Sequence, residues 1–302
     1  MNAKFSIVKH FKVFGIISIV LVAVGLIGLI LLPFGNNLFQ LDIDFAGGTS
    51  MQFNVKQQVT PELNDEIAGL FQEATGIGAS SVQQSGDGTN VEIRSVDIDT
   101  EQRAAVIDAM KAQYSITDDD VLAIDNINEA VGKDLQQAAL TAALLAAVLM
   151  LVYITIRFEF TSGLAAVTCL VHDLLVMLSF YIIFQIPLNT NFIAAALTIL
   201  GYSINASIIV FDRVRENRKL ARKESFEDIC EKSIWQTLTR SINTTVTTLI
   251  MVVLIFILGV PSIRNFTLPI IVGLISGTYS SVFLAAPLWS KYKKIFSRKK
   301  RV

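Results

Sequence analysis

The chain has 302 residues, of which 52% are hydrophobic and only 17% are charged, whereas about a quarter of the residues of an average soluble domain are charged. The mean hydropathy of +0.55 and several long uncharged runs exclude an ordinary soluble enzyme or a basic nucleic-acid-binding protein, and they indicate an integral membrane protein. The net charge of −1 conceals a segregation, because residues 35–134 contain 18 acidic and 5 basic side chains, whereas the rest of the chain contains 8 and 20.

Six segments are long and apolar enough to cross a membrane, which requires about 20 mostly apolar residues. The first follows Lys4, Lys9 and Lys12. It is too long for a secretory signal and no small-residue cleavage site follows it, so we expect it to be retained as an anchor. The predicted spans are Val13–Phe34, Leu135–Ile156, Leu164–Phe184, Phe192–Phe211, Thr239–Val260 and Phe266–Trp289.

The lysines and arginines near the ends of these spans predict the orientation of the chain. Residues 1–34 comprise the N-terminus and the first span, and their basic residues precede that span. Further basic residues lie at the Arg157 turn, in the connection 212–236 and in the tail 290–302. We therefore expect both termini in the cytoplasm and residues 35–134 outside it, with the other five spans within residues 135–289. Cys169 and Cys230 do not provide a disulfide framework for the external segment.

The acidic segment 35–134 has its own pattern of strands and helices. The stretch "LDIDFAGGTSMQFNV" predicts a strand over residues 41–55 with a bulge at Gly47 and Gly48. The following Thr49 completes a Gly-Gly-Thr sequence. This sequence is a poor phosphate site, because no helix follows it directly and no Gly-Lys-Ser/Thr is present.

The remainder of the acidic segment completes an α+β pattern. Thr60 and Pro61 are typical of a helix start, and a Gly-Asp-Gly turn separates two further strands. A second helix is predicted from Thr100 to Tyr114 and a last strand near Val121 to Ile127. The order βαββαβ predicts a small ferredoxin-like α+β domain, lying outside the cytoplasm between the first and second membrane helices.

Ionisable side chains inside the spans are the first functional candidates, because a charge at the membrane centre costs at least about 2.5 kcal/mol. Asp173, next to His172, lies well inside the third span and therefore needs a partner or a water-filled cleft. In the fifth span Arg240 and Thr244 share a face, with Asn243 near its edge. An anchoring role at the membrane interface explains Arg240 equally well.

The fourth span contains Ser203, Asn205 and Ser207 within an apolar stretch, and hydrogen bonding between helices is the simpler explanation for them. Gly201 is expected to let a neighbouring helix approach closely. The second half of the connection 212–236 is amphipathic, and we expect it to lie along the cytoplasmic membrane surface.

Several stretches together resemble the SecD/SecF family of protein-export membrane proteins, and within it SecF. They are "DIDFAGGTSMQF", "AVGKDL", "VHDLLV", "GYSINASIIVFDRVREN" and "TLTRSINTTVTTL". The resemblance covers nearly the whole chain. It implies a six-helix half-unit of the RND superfamily, a SecD partner completing a twelve-helix unit, association with the SecYEG channel and YajC, and outward export of preproteins driven by the proton-motive force.

The chain departs from the family pattern at one important position. Members usually carry an aspartate proposed to take up and release protons where Ala206 stands here, whereas the family's intramembrane arginine and threonine resemble Arg240 and Thr244. Alanine cannot take up a proton. Coupling then has three alternatives: a membrane carboxylate of SecD, Asp173 of this chain, or Na⁺ in place of protons. We favour the carboxylate of SecD.

Other classes of protein fit less well. An intramembrane aspartyl protease needs two membrane carboxylates, but Asp173 is the only one well inside a span. With only His10 and His172 in the chain, no Ser-His-Asp or metal-ligand spacing is present. We therefore expect no enzymatic activity, cofactor, metal or nucleic-acid partner. A non-conducting scaffold and an RND-type exporter of lipids or small molecules stay open, although such exporters commonly contain both halves in one chain.

Overall fold

We describe the protein from a computed structural model, which describes residues 6–31, 38–86, 88–221 and 223–299. The end of the predicted first span, residues 32–34, and the end of the tail, residues 300–302, lie outside the described residues. The chain forms two compact units. The helical unit comprises residues 1–40, 140–187 and 191–302, and the sheet unit comprises residues 41–139 and 188–190.

The helices and strands follow one another without long connections. In chain order they are α1 (Phe11–Leu31), α2 (Ile43–Ala46), β1 (Gly48–Asn54), α3 (Pro61–Thr75), β2 (Ser81–Ser85), β3 (Asn90–Ser95), α4 (Thr100–Tyr114), β4 (Val121–Ile127), α5 (Glu129–Arg157), α6 (Phe160–Ile183), α7 (Thr190–Leu220), α8 (Phe226–Leu258), α9 (Pro261–Tyr279), a π-helical stretch (Ser280–Ala285) and α10 (Ala286–Lys299). Among the described residues, six helices are long and apolar enough to cross a membrane, as the sequence predicted. The sixth runs from α9 through the π-helical stretch into α10.

The six spans differ in how far the chain itself covers them. About half of the apolar window is buried in α6 (50%), α7 (44%) and the last span (56%). The corresponding share is only 17% in α1, 6% in α5 and 11% in α8. Apolar helices of this kind are stable in lipid because each satisfies its own backbone hydrogen bonds. Helices α6 and α7 and the last span therefore form the core of the helical unit. The spans α1, α5 and α8 are left mostly uncovered by this chain.

Much of the connection 212–236 is helical. Helix α7 continues to Leu220, and α8 begins at Phe226, where Ser225 caps it by accepting a hydrogen bond from the Asp228 amide at 3.1 Å. Ile229 and Cys230 are buried, with exposures of 3% and 0%. The apolar positions of this stretch therefore pack against the helical unit's own core, and its location along the cytoplasmic membrane surface stays a prediction.

The sheet unit is a four-stranded antiparallel sheet with strand order β2-β3-β1-β4. Its core brings side chains of α3 and α4, including Phe71 and Met110, together with Phe53 of β1. The Oγ1 atom of Thr60 caps α3 by accepting a hydrogen bond from the Leu63 amide at 3.3 Å, so the predicted helix start is confirmed. The order of elements from β1 to β4 is the predicted one, whereas the ferredoxin-like classification and the external location stay predictions.

The beginning of the predicted first strand was wrong. Ile43–Ala46 forms the short helix α2, because the Asp42 side chain accepts a hydrogen bond from the Ile43 amide at 2.8 Å. Gly47 ends this helix with a φ of +74°, and Gly48 has a φ of +124°, values that L side chains rarely adopt. A Cβ atom on Gly48 would also collide with the backbone of β3. Both glycines therefore have a backbone role, and the buried Thr49 follows them as the second residue of β1.

Candidate functional site

Asp173 lies near the middle of α6 and is almost fully buried, with 1% of its surface exposed. It is 13 residues from the start of α6 at Phe160, which corresponds to about 20 Å along the helix axis. A carboxylate at this depth cannot reach the polar surface of the membrane, so its partners must come from the protein.

Four hydrogen-bond donors from three spans surround this carboxylate. Ser203 of α7 and Ser280 of the π-helical stretch donate to Oδ2 at 2.6 and 2.8 Å. Ser276 of α9 donates to Oδ1 at 2.7 Å, and Nδ1 of His172 lies 3.0 Å from the same oxygen. We call these five residues the Asp173 cluster. Two of these four polar groups therefore lie within hydrogen-bond distance of each oxygen.

The helices around the Asp173 cluster are closely packed. A Cβ atom on Gly277 would lie 3.2 Å from the Ser203 Cβ and 3.6 Å from Oδ2 of Asp173, so glycine lets the last span approach α7 and the carboxylate closely. These contacts connect α6, α7 and the last span through one carboxyl group, and they involve both of its oxygens. This arrangement stabilises the packing of three helices and leaves the oxygens no acceptor position for an ion or a substrate.

The π-helical stretch begins at one of the donors. Ser280 is its first residue, and Ser276 precedes it by four residues. A π-helical turn changes the spacing of side chains along a helix and is frequently found at functional sites. Here it begins at the turn whose two serines reach the two different oxygens of Asp173.

A second set of contacts connects His172 with α1. The His172 ring stacks on Tyr279, with 5.8 Å between ring centroids and 26° between planes. The Tyr279 hydroxyl donates to the Phe14 carbonyl oxygen at 2.7 Å. Among the described residues, Nε2 of His172 and Oγ of Ser207 are buried and have no hydrogen-bond partner. Ser207 thus lies inside the helical unit but does not take part in the Asp173 cluster.

The other candidate residues lie on the outside of the helical unit. Asn205 of α7 and Arg240, Asn243 and Thr244 of α8 are exposed in this chain, and we call these four residues the exposed polar face. The Thr244 hydroxyl donates to the carbonyl oxygen of Arg240 within the same helix at 2.8 Å. Within the described part of the chain, the other three side chains make no hydrogen bond or ion pair. The polar residues that the sequence marks as candidates within the spans are therefore divided between the protein interior and an uncovered surface.

Sequence reasoning missed two members of the Asp173 cluster, Ser276 and Ser280, and it gave Ser203 no specific partner. A signal was present in the stretch "SGTYSS", because serines at positions i and i+4 lie on one helical face and Gly277 lies between them. Ala206, where the resemblance implies a proton carrier in other members of the family, is half-buried. Gly47, Gly48 and Thr49 belong to the sheet unit and contribute to its backbone geometry.

Comparisons with known proteins agree on one family. The family model "Protein export membrane protein SecD/SecF, C-terminal" matches residues 106–295. The protein translocase subunit SecF of Acidaminococcus fermentans is 39% identical over 301 residues, which cover 98% of this chain and 99% of that protein. The protein translocase subunit SecDF of Bacillus subtilis is 37% identical over 93% of this chain and 37% of its own length.

A solved structure extends the similarity to the fold. The crystal structure of SecDF from Thermus thermophilus, described as a translocon-associated membrane protein, superposes with a TM-score of 0.85 at 29% identity. The match covers 97% of this chain and 39% of that one. The chain therefore spans about two fifths of the fused SecDF proteins and nearly the full length of the A. fermentans SecF.

Proposed function

Because this chain belongs to the SecD/SecF family of protein export membrane proteins, we propose that it is the SecF half of a SecD–SecF pair. Its similarity to translocase subunits gives it a role in protein export, and its six apolar helices make it a multi-pass membrane protein. The proposal adds a location in the bacterial inner membrane, with both termini in the cytoplasm and residues 35–134 outside it.

The exposed polar face is the observation that carries the pairing with SecD. Asn205 lies seven residues before Asp212, the first charged residue of α7, which is about 10 Å along the axis. An unsatisfied polar group in hydrocarbon costs several kcal/mol, so a second protein surface should cover it. Nothing lies within 4 Å of a Cβ placed on Gly201, one helical turn away, and a small residue there favours a close helix–helix approach.

The same face supports coupling to the proton-motive force through SecD. Ala206 has no group to protonate, and both oxygens of Asp173 are occupied by donors of this chain. Arg240 presents an uncompensated cation at the exposed polar face. A carboxylate of SecD packed against it could alternate between a charged and a protonated state, which a proton carrier requires. We propose that SecD supplies this carboxylate, rather than Asp173 or a sodium site.

The wider assembly follows from the same family. We propose that the pair associates with the SecYEG channel and YajC and acts on preproteins in transit, with the sheet unit outside the cytoplasm. Among the described residues, no group of three or more His, Cys, Asp or Glu side chains could hold a metal ion. The proposal includes no enzymatic activity and no cofactor.

Copurification tests the proposed pairing. Replacing both Asn205 and Arg240 with leucine removes the only charge and one of the two amides of the exposed polar face, and SecD should no longer copurify with the full chain from native membranes. The control is Leu149→Ala on α5, where the side chain is 58% exposed but apolar, and it should retain SecD. Retention of SecD by the double variant, with unchanged membrane insertion, would contradict the pairing through this face.

A reconstituted export assay tests the proposed coupling. Neutralising the membrane carboxylate of SecD should abolish the stimulation of export by a proton gradient, whereas Asp173→Asn should leave the gradient response of the folded fraction intact. An unchanged response after the change in SecD would exclude coupling through that carboxylate.

A non-conducting scaffold is the second candidate function, and Ala206 is the observation that favours it. A scaffold would hold SecD and the channel together without any ion crossing the pair. Measurement of proton or sodium flux in vesicles separates the two functions. A motor requires a flux that depends on Arg240, whereas a scaffold conducts equally little with or without that side chain.

A further inference from the structure

A cavity of about 410 Å³ lies where α5 meets α6, away from the Asp173 cluster and the exposed polar face. This volume is within the range of small-ligand sites, about 300–1,000 Å³. We call it the basic pocket, because three of its six lining residues are basic and one is acidic. They are Phe158, Glu159, Arg215, Arg218, Lys219 and Trp289.

The positive charge of the basic pocket is not balanced by the chain. Glu159 already binds two cations, Arg218 at 2.6 Å and Lys293 at 2.7 Å. Among the described residues, Arg215 donates only to the backbone carbonyl oxygen of Arg157, at 3.3 Å. Lys219 makes no ion pair with any residue that the structure describes. An anion entering the pocket would therefore meet two cationic groups that lack an acidic partner.

Two aromatic side chains, Phe158 and Trp289, also line the basic pocket. Trp289 is 2% exposed, and its indole nitrogen donates to Oγ1 of Thr161 at 3.1 Å. Phe211 packs edge-on against Trp289 at 5.1 Å and against Phe158 at 6.2 Å, measured between ring centroids. Aromatic and cationic side chains thus both line the pocket.

The pocket lies at the boundary between apolar and charged sequence. Arg215 and Lys219 follow Phe211, the last residue of the apolar part of α7, by four and eight residues. These separations correspond to about 6 and 12 Å along the axis. The polar headgroup layer extends about 5–8 Å beyond the hydrocarbon on each side. Nearby, Ile156 is 81% exposed and Phe160 is 48% exposed, as expected for side chains that face acyl chains.

We propose that the basic pocket binds the phosphodiester headgroup of an anionic phospholipid. Arg215 would pair with the phosphate, and Lys219, further along α7, would extend its long side chain back toward it. The acyl chains would run along Ile156 and Phe160. The planar guanidinium of an arginine matches two phosphate oxygens, and basic pockets between membrane helices are known to take anionic headgroups. The exposed apolar side chains beside the pocket favour a lipid over a soluble phosphate. This site is independent of the proposed export function.

Native mass spectrometry of the delipidated full chain in detergent tests the site. The chain is titrated with phosphatidylglycerol, with phosphatidylcholine of the same acyl chains, and with inorganic phosphate. We expect phosphatidylglycerol to bind much more tightly than phosphatidylcholine. The double variant R215Q/K219Q should weaken its binding roughly 30-fold, since each basic residue near an anionic lipid surface contributes about fivefold.

The control variant K291Q/K294Q removes the same charge from α10 outside the pocket and should change binding less than about threefold, because these side chains do not line the site. Lys219 is exposed and unpaired among the described residues, so K219Q should fold normally and lower the affinity for phosphatidylglycerol about fivefold. This single variant tests the site if the double variant unfolds. If both double variants weakened phosphatidylglycerol binding equally, the lipid would be held by nonspecific electrostatic attraction, and the proposal would be overturned. Equal binding of phosphatidylcholine, or displacement of phosphatidylglycerol by inorganic phosphate, would also overturn it.

Discussion

Replacement of Asp173 by asparagine should strongly destabilise the helical unit. The carboxyl group accepts hydrogen bonds from three serine hydroxyls and has Nδ1 of His172 within 3.0 Å, so each oxygen has two polar partners. Asparagine keeps one acceptor oxygen but turns an NH₂ group toward two of the four donors, so two hydrogen bonds to a charged group are lost. At about 1.5–3 kcal/mol each, the loss is about 3–6 kcal/mol, and the Tm should fall by roughly 10 °C or more.

Thermal unfolding of the full chain in detergent measures this effect. Ser203→Ala removes one of the four hydrogen bonds and should have a smaller effect, about 1.5–3 kcal/mol. Ser207→Ala is the matched control, because this serine lies one turn further along α7 and is also buried, but its hydroxyl has no partner among the described residues. Its replacement should leave the Tm unchanged or raise it.

One result would refute the reasoning about the Asp173 cluster. If the D173N protein unfolded at the wild-type temperature but no longer responded to a proton gradient in reconstituted export, Asp173 would be a proton carrier. A carboxylate that binds three helices together must reduce stability when it is lost, whereas a carrier can fail in transport alone.

Three further predictions concern single positions outside the Asp173 cluster. Gly25→Ala should lower the Tm by overpacking, at a cost of about 1–3 kcal/mol, because a Cβ there would lie 2.5 Å from a carbonyl oxygen of α6, whereas Gly15→Ala in the same helix meets nothing closer than 3.9 Å and should be neutral. The Lys56 ammonium beside Asp120 lowers the pKa of that carboxyl from 3.8 to about 2. The contribution of the ionised Asp120 to stability is therefore complete above pH 3.8 and is lost as the pH falls through about 2. Asp120→Asn should remove this step from the acid-unfolding curve. Ser115→Gly should raise the Tm, since Ser115 ends α4 with a φ of +51°, a conformation that costs a non-glycine residue about 1 kcal/mol or more.

Local signals predicted the elements whose stabilising contacts are also local. Thr60 caps α3 through an amide only three residues away, and the predicted helix Thr100–Tyr114 has the observed bounds. The alternation of Leu41, Ile43 and Phe45 was misleading. It is compatible with a strand, but the cap formed by Asp42 stabilises one turn of helix instead.

The partners of Asp173 could not be predicted because they come from distant parts of the chain. Ser203, Ser276 and Ser280 are separated from it by 30, 103 and 107 residues. Helical spacing defines which residues share a face, but it does not identify the helix that this face meets. For the same reason the sequence grouped Arg240 with Asp173, although the structure leaves Arg240 exposed and Asp173 buried.

Site-specific photo-crosslinking in native membranes is the most direct test of the claim that SecD covers the exposed polar face. A photoreactive residue at Asn243 should crosslink to SecD, whereas the same residue at Leu149 on α5, an equally uncovered but apolar position, should crosslink mainly to lipid. If position 243 also gave only lipid adducts while SecD was present in the membrane, the pairing through this face would be wrong.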